Sequence, residues 1–160
     1  MSKALVYGDS INTDLIIAGK YTKTLDFNDL AAHCMEDLDP DFGRRVEKGD
    51  VLVAGSNFGC GSSREQAPIA LKYAGVGAVL AKSFARIFYR NAINVGLPVL
   101  ICDTSSIREG DLVRIDMEEG KVVVNGEQEL ACQALSPIMQ RILESGGLAS
   151  YLKEKGDFVL

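Results

Sequence analysis

Residues 51–74 read VLVAGSNFGCGSSREQAPIALKYA, and the reading of this stretch decides the fold. Val51 to Ala54 is a short apolar run of strand type, Gly55, Gly59 and Gly61 interrupt the loop that follows, and the apolar residues Ala70, Leu71 and Ala74 recur at helical spacing. A strand that passes through a glycine loop into a helix places a crevice at the carboxyl end of a sheet. The loop's composition is that of a site. Its glycines permit positive φ and close approach of a ligand, while Ser62, Ser63 and Arg64 bring hydroxyl, backbone N–H and guanidinium donors to a helix opening. The expected guest is an anion, a carboxylate or a phosphate. Ser63 followed three residues later by Gln66 spells a capping box. Pro68 would then fall in the second turn, where it removes a hydrogen bond at a cost of about 3 kcal/mol, so a tighter first turn over SSREQ is expected.

Outward from this unit, strands are expected at Ala4 to Tyr7, Ala78 to Ala81 and Leu97 to Cys102. A helix is expected from Leu25 to Leu38, with Asp26 or Asn28 as N-cap, Pro40 beyond its end, and His33 and Cys34 on it. Another is expected from Phe84 to Val95, capped by Ser83. Val46 to Gly49 reads as a charged turn. Short apolar strands alternating with helices predict an α/β chain with a mostly parallel βαβ core. Asp111 to Ile115, Lys121 to Val124 and the turn at Asn125-Gly126 differ, reading as a β-ribbon appendage. Ser136-Pro137 opens a helix in the favoured order, and a short helical segment over 148–152 follows it. With no repeat, linker or low-complexity tract, residues 1–160 read as a single domain.

Composition narrows the partners. A net charge of −5 lacks the basic patch that nucleic acid or an anionic membrane requires, so neither is expected. No N-terminal apolar targeting segment and no membrane-length apolar run is present, which predicts a cytoplasmic chain. Cys34, Cys60, Cys102 and Cys132 are widely spaced, with no CxxC pair, so no metal site is expected in this chain. Cys60 stands apart because it lies in the glycine loop near helix N–H groups, but no base accompanies it. His33, the sole histidine, reads as a structural helical residue. Asp9, Asn12, Thr13 and Asp14 form a loop whose side chains are suited to building turns.

Familiar nucleotide motifs do not fit. A P-loop needs Lys and then Ser or Thr after its last glycine, where this chain has Ser62-Ser63-Arg64, and the dinucleotide fingerprint needs a glycine where Arg64 stands. No GxSxG elbow is present either.

NFGCGSSREQAPIAL, together with the earlier NTDLIIAGKY and the later KSFARIFYRNAINVGLPVL, resembles the small subunits of 3-isopropylmalate dehydratase and homoaconitase in the aconitase superfamily. The resemblance implies the swivelling β/β/α fold and a hydro-lyase that moves a hydroxyl between neighbouring carbons of a di- or tricarboxylate through an alkene acid. It implies that no cofactor is bound by this chain, and that a 4Fe-4S cluster, acting as Lewis acid, sits on a large-subunit partner. On the matching positions, Ser62 is the base at the substrate C–H, Ser63 and Arg64 hold a carboxylate, and Asp14 lies close to the serine. A serine is a poor base until its alkoxide is stabilised, which the loop N–H groups, the helix N-terminus and Arg64 are suited to do.

Residues 19–24, GKYTKT, occupy the segment that in such relatives reads the substrate's variable group. Isopropylmalate enzymes tend to be apolar there, and homoaconitases tend to carry Tyr-Leu-Arg-Thr. Lys23 is basic but lacks arginine's planar fork, so the chain departs from both patterns. Isopropylmalate, homoaconitate and a smaller dimethylmalate- or methylmalate-type substrate all remain open. So does a reading from another class, a stand-alone carboxylate-binding module.

Overall fold

The computed structural model of the chain describes residues 2–155. Strands β1 (Ser2–Val6), β2 (Val51–Val53), β3 (Ala78–Ala81) and β4 (Val99–Ile101) are mutually parallel. Strands β5 (Leu112–Asp116), β6 (Lys121–Val124) and β7 (Gln128–Ala131) add antiparallel to the other side of β1, giving the order β4-β3-β2-β1-β5-β6-β7. Every residue of β2 and β3 is buried, as parallel strands covered on both faces require.

The side-chain period of two divides the sheet between two cores. Leu5, Leu52, Val79 and Ala81 face the helices, whereas Ala4, Val51, Val53 and Leu80 face a second core that Val113, Val122 and Val124 of the ribbon help to fill. The sheet therefore curls until its ends meet. Cys102, just past β4, bridges antiparallel to Cys132, just past β7, and the Gln133 N–H donates to the Ile101 carbonyl at 2.8 Å.

The helical elements are α1 (Thr13–Ile16), a 3-10 turn (Gly19–Tyr21), α2 (Phe27–Ala32), α3 (Phe42–Arg45), α4 (Gln66–Ala74), α5 (Arg86–Val95), α6 (Pro137–Glu144) and α7 (Leu148–Lys155). Ser136 caps α6 as expected, accepting from the Met139 N–H at 3.3 Å with Pro137 first in the helix.

Several local expectations are corrected. The helix expected over 25–38 is confined to α2, capped by Asp26 through the Asn28 N–H at 2.9 Å. Buried Met35 adopts φ 63° and donates its N–H to the Ile16 carbonyl at 2.7 Å, which anchors the chain to α1 and ends helical propagation. His33 is consequently the C-cap of α2, and Cys34 lies in the turns beyond it. A helical turn, α3, precedes the charged turn at 46–49 and buries Phe42. Ser63 does not cap α4, which begins at Gln66 behind Glu65. Pro68 is thereby the third helical residue, in the first turn, where no intrahelical partner for an N–H is required. Ser83 does not cap α5, which begins at Arg86; its Oγ accepts instead from the Asn57 N–H at 2.7 Å. The last helix extends past 152 to Lys155. Among the described residues, no helix is long and apolar enough to cross a membrane.

Candidate active site

Because β1 and β2 are parallel neighbours, paired Val6 to Val53, the loops that follow them leave the same end of the sheet. They are joined along their length. The Ser10 N–H donates to the Ser56 carbonyl at 2.8 Å, Gly59 to Ile11 at 2.8 Å, and Thr13 to Cys60 at 2.9 Å. Of the side chains expected to build turns, Asn12 does so, capping α1 through the Leu15 N–H at 3.0 Å, whereas Asp9 reaches across to the second loop and accepts from the Ser56 N–H at 2.7 Å. A third segment closes the group, with the Ala85 N–H donating to Phe58 at 2.9 Å just before α5.

The glycines serve approach as well as turning. Gly59 has φ 82°, and a Cβ there would stand 2.2 Å from the Phe88 ring, so α5 packs directly on the loop backbone. Phe88 meets Phe58 edge-on at 5.2 Å, forming an apolar floor under the loop.

Above this floor lies a cavity of about 190 Å³ lined by Thr13, Ser62, Ser63, Arg64, Arg86 and Phe88, among others. The buried Thr13 donates its hydroxyl to the Ser62 carbonyl at 2.8 Å and stands 3.4 Å from Ser62 Oγ. Arg64 Nη2 pairs with Asp14 Oδ1 at 2.8 Å, and Nη1 reaches the Ile17 carbonyl at 3.4 Å. The guanidinium also lies against Gly19, where a Cβ would be 3.1 Å from Nη1. Neither α4 nor α5 has a side-chain cap, so first-turn N–H groups at both helix starts are left for water or a ligand. Two arginines, two exposed serine hydroxyls and the start of α5 line the cavity, a set of donors chemically suited to a small anion. The larger cavity between α5 and α6, about 700 Å³, has a predominantly apolar lining and contains none of the serines.

The structure therefore brings Ser62, Ser63 and Arg64 together and joins Asp14 to them through Arg64. Lys23 is exposed and lies outside the lining of this cavity. Sequence reading did not single out Thr13, Arg86 or Phe88 as site residues. Thr13 had a usable signal, its place beside Asp14 in the polar loop, but Arg86 and Phe88 depend on how α5 packs.

The cysteines do not fit a resident cluster. Among the described residues, no group of three or more His, Cys, Asp or Glu is arranged to hold a metal ion. Burial pushes the Cys34 thiol far above its usual range, away from the thiolate that a metal needs. Cys102 and Cys132 supply only two sulfurs, and these interact with each other.

Residues 10–103 match the aconitase C-terminal domain, and the chain belongs to that family. It is 54% identical over 159 residues to 3-isopropylmalate dehydratase small subunit 2 of Archaeoglobus fulgidus, spanning 98% of this chain and 96% of the relative. It is 51% identical over 154 residues to the methanogen homoaconitase small subunit of Methanocaldococcus jannaschii, spanning 96% and 91%. A crystal structure of 3-isopropylmalate dehydratase from the same organism superimposes with a TM-score of 0.92 at 51% identity, covering 97% of this chain and 93% of that one. Relatives with two different substrate names are thus about equally similar, so overall identity does not select a substrate.

Proposed function

We propose that the chain is the small subunit of a heteromeric cytoplasmic hydro-lyase that interconverts 2- and 3-isopropylmalate by dehydration and rehydration, a step of leucine biosynthesis. The observation that carries this reading is the convergence of Ser62, Ser63 and Arg64 on one cavity at uncapped helix starts. Arg64 uses one side of its guanidinium on Asp14, which fixes the plane and leaves donors for a substrate carboxylate. Ser63 binds the same carboxylate, and Arg86, the first residue of α5, adds positive charge to the lining.

Ser62 takes the proton from the substrate carbon as its alkoxide, its own hydroxyl proton having first been released to solvent, and is a neutral hydroxyl again once the C–H bond is broken. The Thr13 hydrogen is committed to the Ser62 carbonyl, so in the protonated resting form Ser62 donates across the 3.4 Å contact and Thr13 accepts. That arrangement orients the Ser62 lone pairs, while the helix N-termini and Arg64 stabilise negative charge on its oxygen. A 4Fe-4S cluster on a large subunit would supply the Lewis acid for the hydroxyl. Among the described residues no group suits that cluster, and the roles proposed for this chain's own residues are to bind and orient the substrate and to accept the proton.

A second reading, homoaconitase small subunit, is supported by the 51% identity to the methanogen homoaconitase small subunit and by the basic Lys23 in residues 19–24, although that side chain lies outside the lining of the cavity. Co-expression with the cluster-bearing large subunit, followed by turnover assays on isopropylmalate and homoaconitate, separates the readings. Ser62→Ala should lower kcat by about 100-fold or more, on the scale of a lost acid–base group. Absence of turnover on every malate-type substrate with an intact cluster would defeat both readings. Calorimetric binding of a dicarboxylate to the chain alone would favour the stand-alone module instead.

A further inference from the structure

The 3-10 turn Gly19–Tyr21 buries no residue and has no side-chain cap, yet its backbone lies against the Arg64 guanidinium. Its position therefore depends on side-chain contacts. The Tyr21 ring stacks face to face on the His33 ring, with centroids 3.8 Å apart and planes 3° from parallel. His33 Nδ1 is 2.9 Å from Glu36 Oε2, and the Tyr21 hydroxyl bonds to the same carboxylate. Those bonds, the His33 one foremost, hold the Glu36 carboxyl below its usual range, so it is an ionised acceptor at neutral pH. A carboxylate acceptor requires the proton on Nδ1, which fixes the ring's orientation. The far end of this cluster is anchored by the Met35 N–H on Ile16.

We infer that His33 and Glu36 are positioning residues that hold Tyr21, and with it residues 19–24, against the Arg64 clamp, thereby setting how tightly and how selectively the carboxylate substrate is held. The connection runs from Glu36 to His33 and Tyr21 through side-chain contacts, then along the 3-10 turn to Gly19, whose backbone lies against Arg64 of the cavity lining. Gln66 reinforces it by donating to the Thr22 carbonyl at 3.4 Å. The inference deepens the hydro-lyase reading and rests on it for the identity of the substrate.

The test uses the assembled enzyme, with wild type, His33→Ala, His33→Phe and Glu36→Gln compared on isopropylmalate and homoaconitate. His33→Ala should raise KM about tenfold with kcat within about twofold, the signature of lost ground-state positioning. His33→Phe keeps the ring stack and should recover most of that loss. Glu36→Gln should fall between them, and the ratio of kcat/KM for the two substrates should change in His33→Ala. Limited trypsin digestion of the complex gives a readout independent of activity, because cleavage after Lys20 and Lys23 should accelerate in His33→Ala and not in His33→Phe. An unchanged KM and unchanged cleavage in His33→Ala overturn the inference. So does an equal loss of thermal stability in both His33 variants with kcat and KM unsplit, which marks a role in folding alone. If wild type turns over neither substrate, the hydro-lyase reading and the substrate half of the inference fall, and the cleavage rates alone judge the positioning half.

Discussion

Thr13 and Ser62 are joined twice, by a 2.8 Å hydrogen bond from the Thr13 hydroxyl to the Ser62 carbonyl and by a 3.4 Å approach of the two hydroxyl oxygens. Thr13 is buried and Ser62 is exposed, so the pair links a fixed point in the first loop to a group facing the cavity. Replacing Thr13 by Val should leave the carbonyl without its partner, at about 1–3 kcal/mol, and lower kcat of the assembled enzyme by about tenfold or more. Thr13→Ser should restore both. Thermal midpoints and kcat for the two variants check this, and a kcat unchanged in Thr13→Val would remove Thr13 from the machinery.

Arg64 tests the clamp. Lysine at this position keeps the charge but cannot hold Asp14 and a substrate carboxylate with one planar group. Arg64→Lys should raise KM by about 10- to 100-fold, the scale of a lost charge-assisted bond. Asp14→Asn should have a smaller effect of the same sign, because the guanidinium remains present but less well oriented. Steady-state kinetics on the assembled enzyme decide the order.

A methyl group separates two glycines. Gly59→Ala would place a Cβ 2.2 Å from Phe88 at φ 82°, combining a clash with left-handed backbone. A cost of about 3 kcal/mol or more is expected, lowering the thermal midpoint by about 6–12 °C. Gly43→Ala, in α3 with nothing within 4 Å of the added Cβ, should be neutral or slightly stabilising. Equal midpoints for the two variants would contradict the close packing of α5 on the loop.

Acid sensitivity should centre on Asp39. Burial pushes its carboxyl up, but the Tyr7 hydroxyl at 2.7 Å, the Asp41 N–H at 3.1 Å and Arg45 together outweigh burial and hold it below its usual range. A lowered folded value means that the stabilisation is complete above the unfolded value of about 3.9 and disappears as pH falls through the folded one. The midpoint should therefore vary little through Asp39 from pH 7 to about 5 and fall below about pH 4. Asp39→Asn should lower stability at neutral pH and make the acid limb shallower. Tyr7 acts at the other extreme: burial, then its bond to Asp39, raises its phenol, so its contribution is lost only as pH rises beyond about 10.

The thiols should be distinguishable by alkylation. Cys132 is partly exposed, and the bond from Cys102 holds its thiol below the usual range, whereas burial drives Cys34 the other way. Iodoacetamide should modify Cys132 well before Cys34 in the folded chain, with peptide mapping as the readout. Equal rates would contradict the packing around Cys34.

The strand, glycine loop and helix at 51–74 were legible because apolar period and glycine placement are local signals. The alternation of strands with helices likewise carried the parallel core, and Asn125-Gly126 carried the hairpin. Helix limits were less legible. Nothing local marks Met35 as left-handed; its φ of 63° is imposed by the hydrogen bond to Ile16, a residue far away in sequence. Ser63 and Ser83 have the chemistry of caps, but Ser63 belongs to the cavity rim and Ser83 holds Asn57. Within the site, Ser62, Ser63 and Arg64 were adjacent and easily read together. Thr13, Arg86 and Phe88 come from other segments, and only the pairing of β1 with β2 and the packing of α5 on Gly59 bring them there.

The meeting of Cys102 and Cys132 beyond β4 and β7 bears on how such a chain finds company. A flat sheet of this order would offer two outermost strands as templates for any passing extended peptide. By curling until its two ends pair, the chain withdraws that invitation. The same bridge ties the parallel half of the sheet to the ribbon, so the end of the largely buried β4 and the end of the largely exposed β7 are held at a common point.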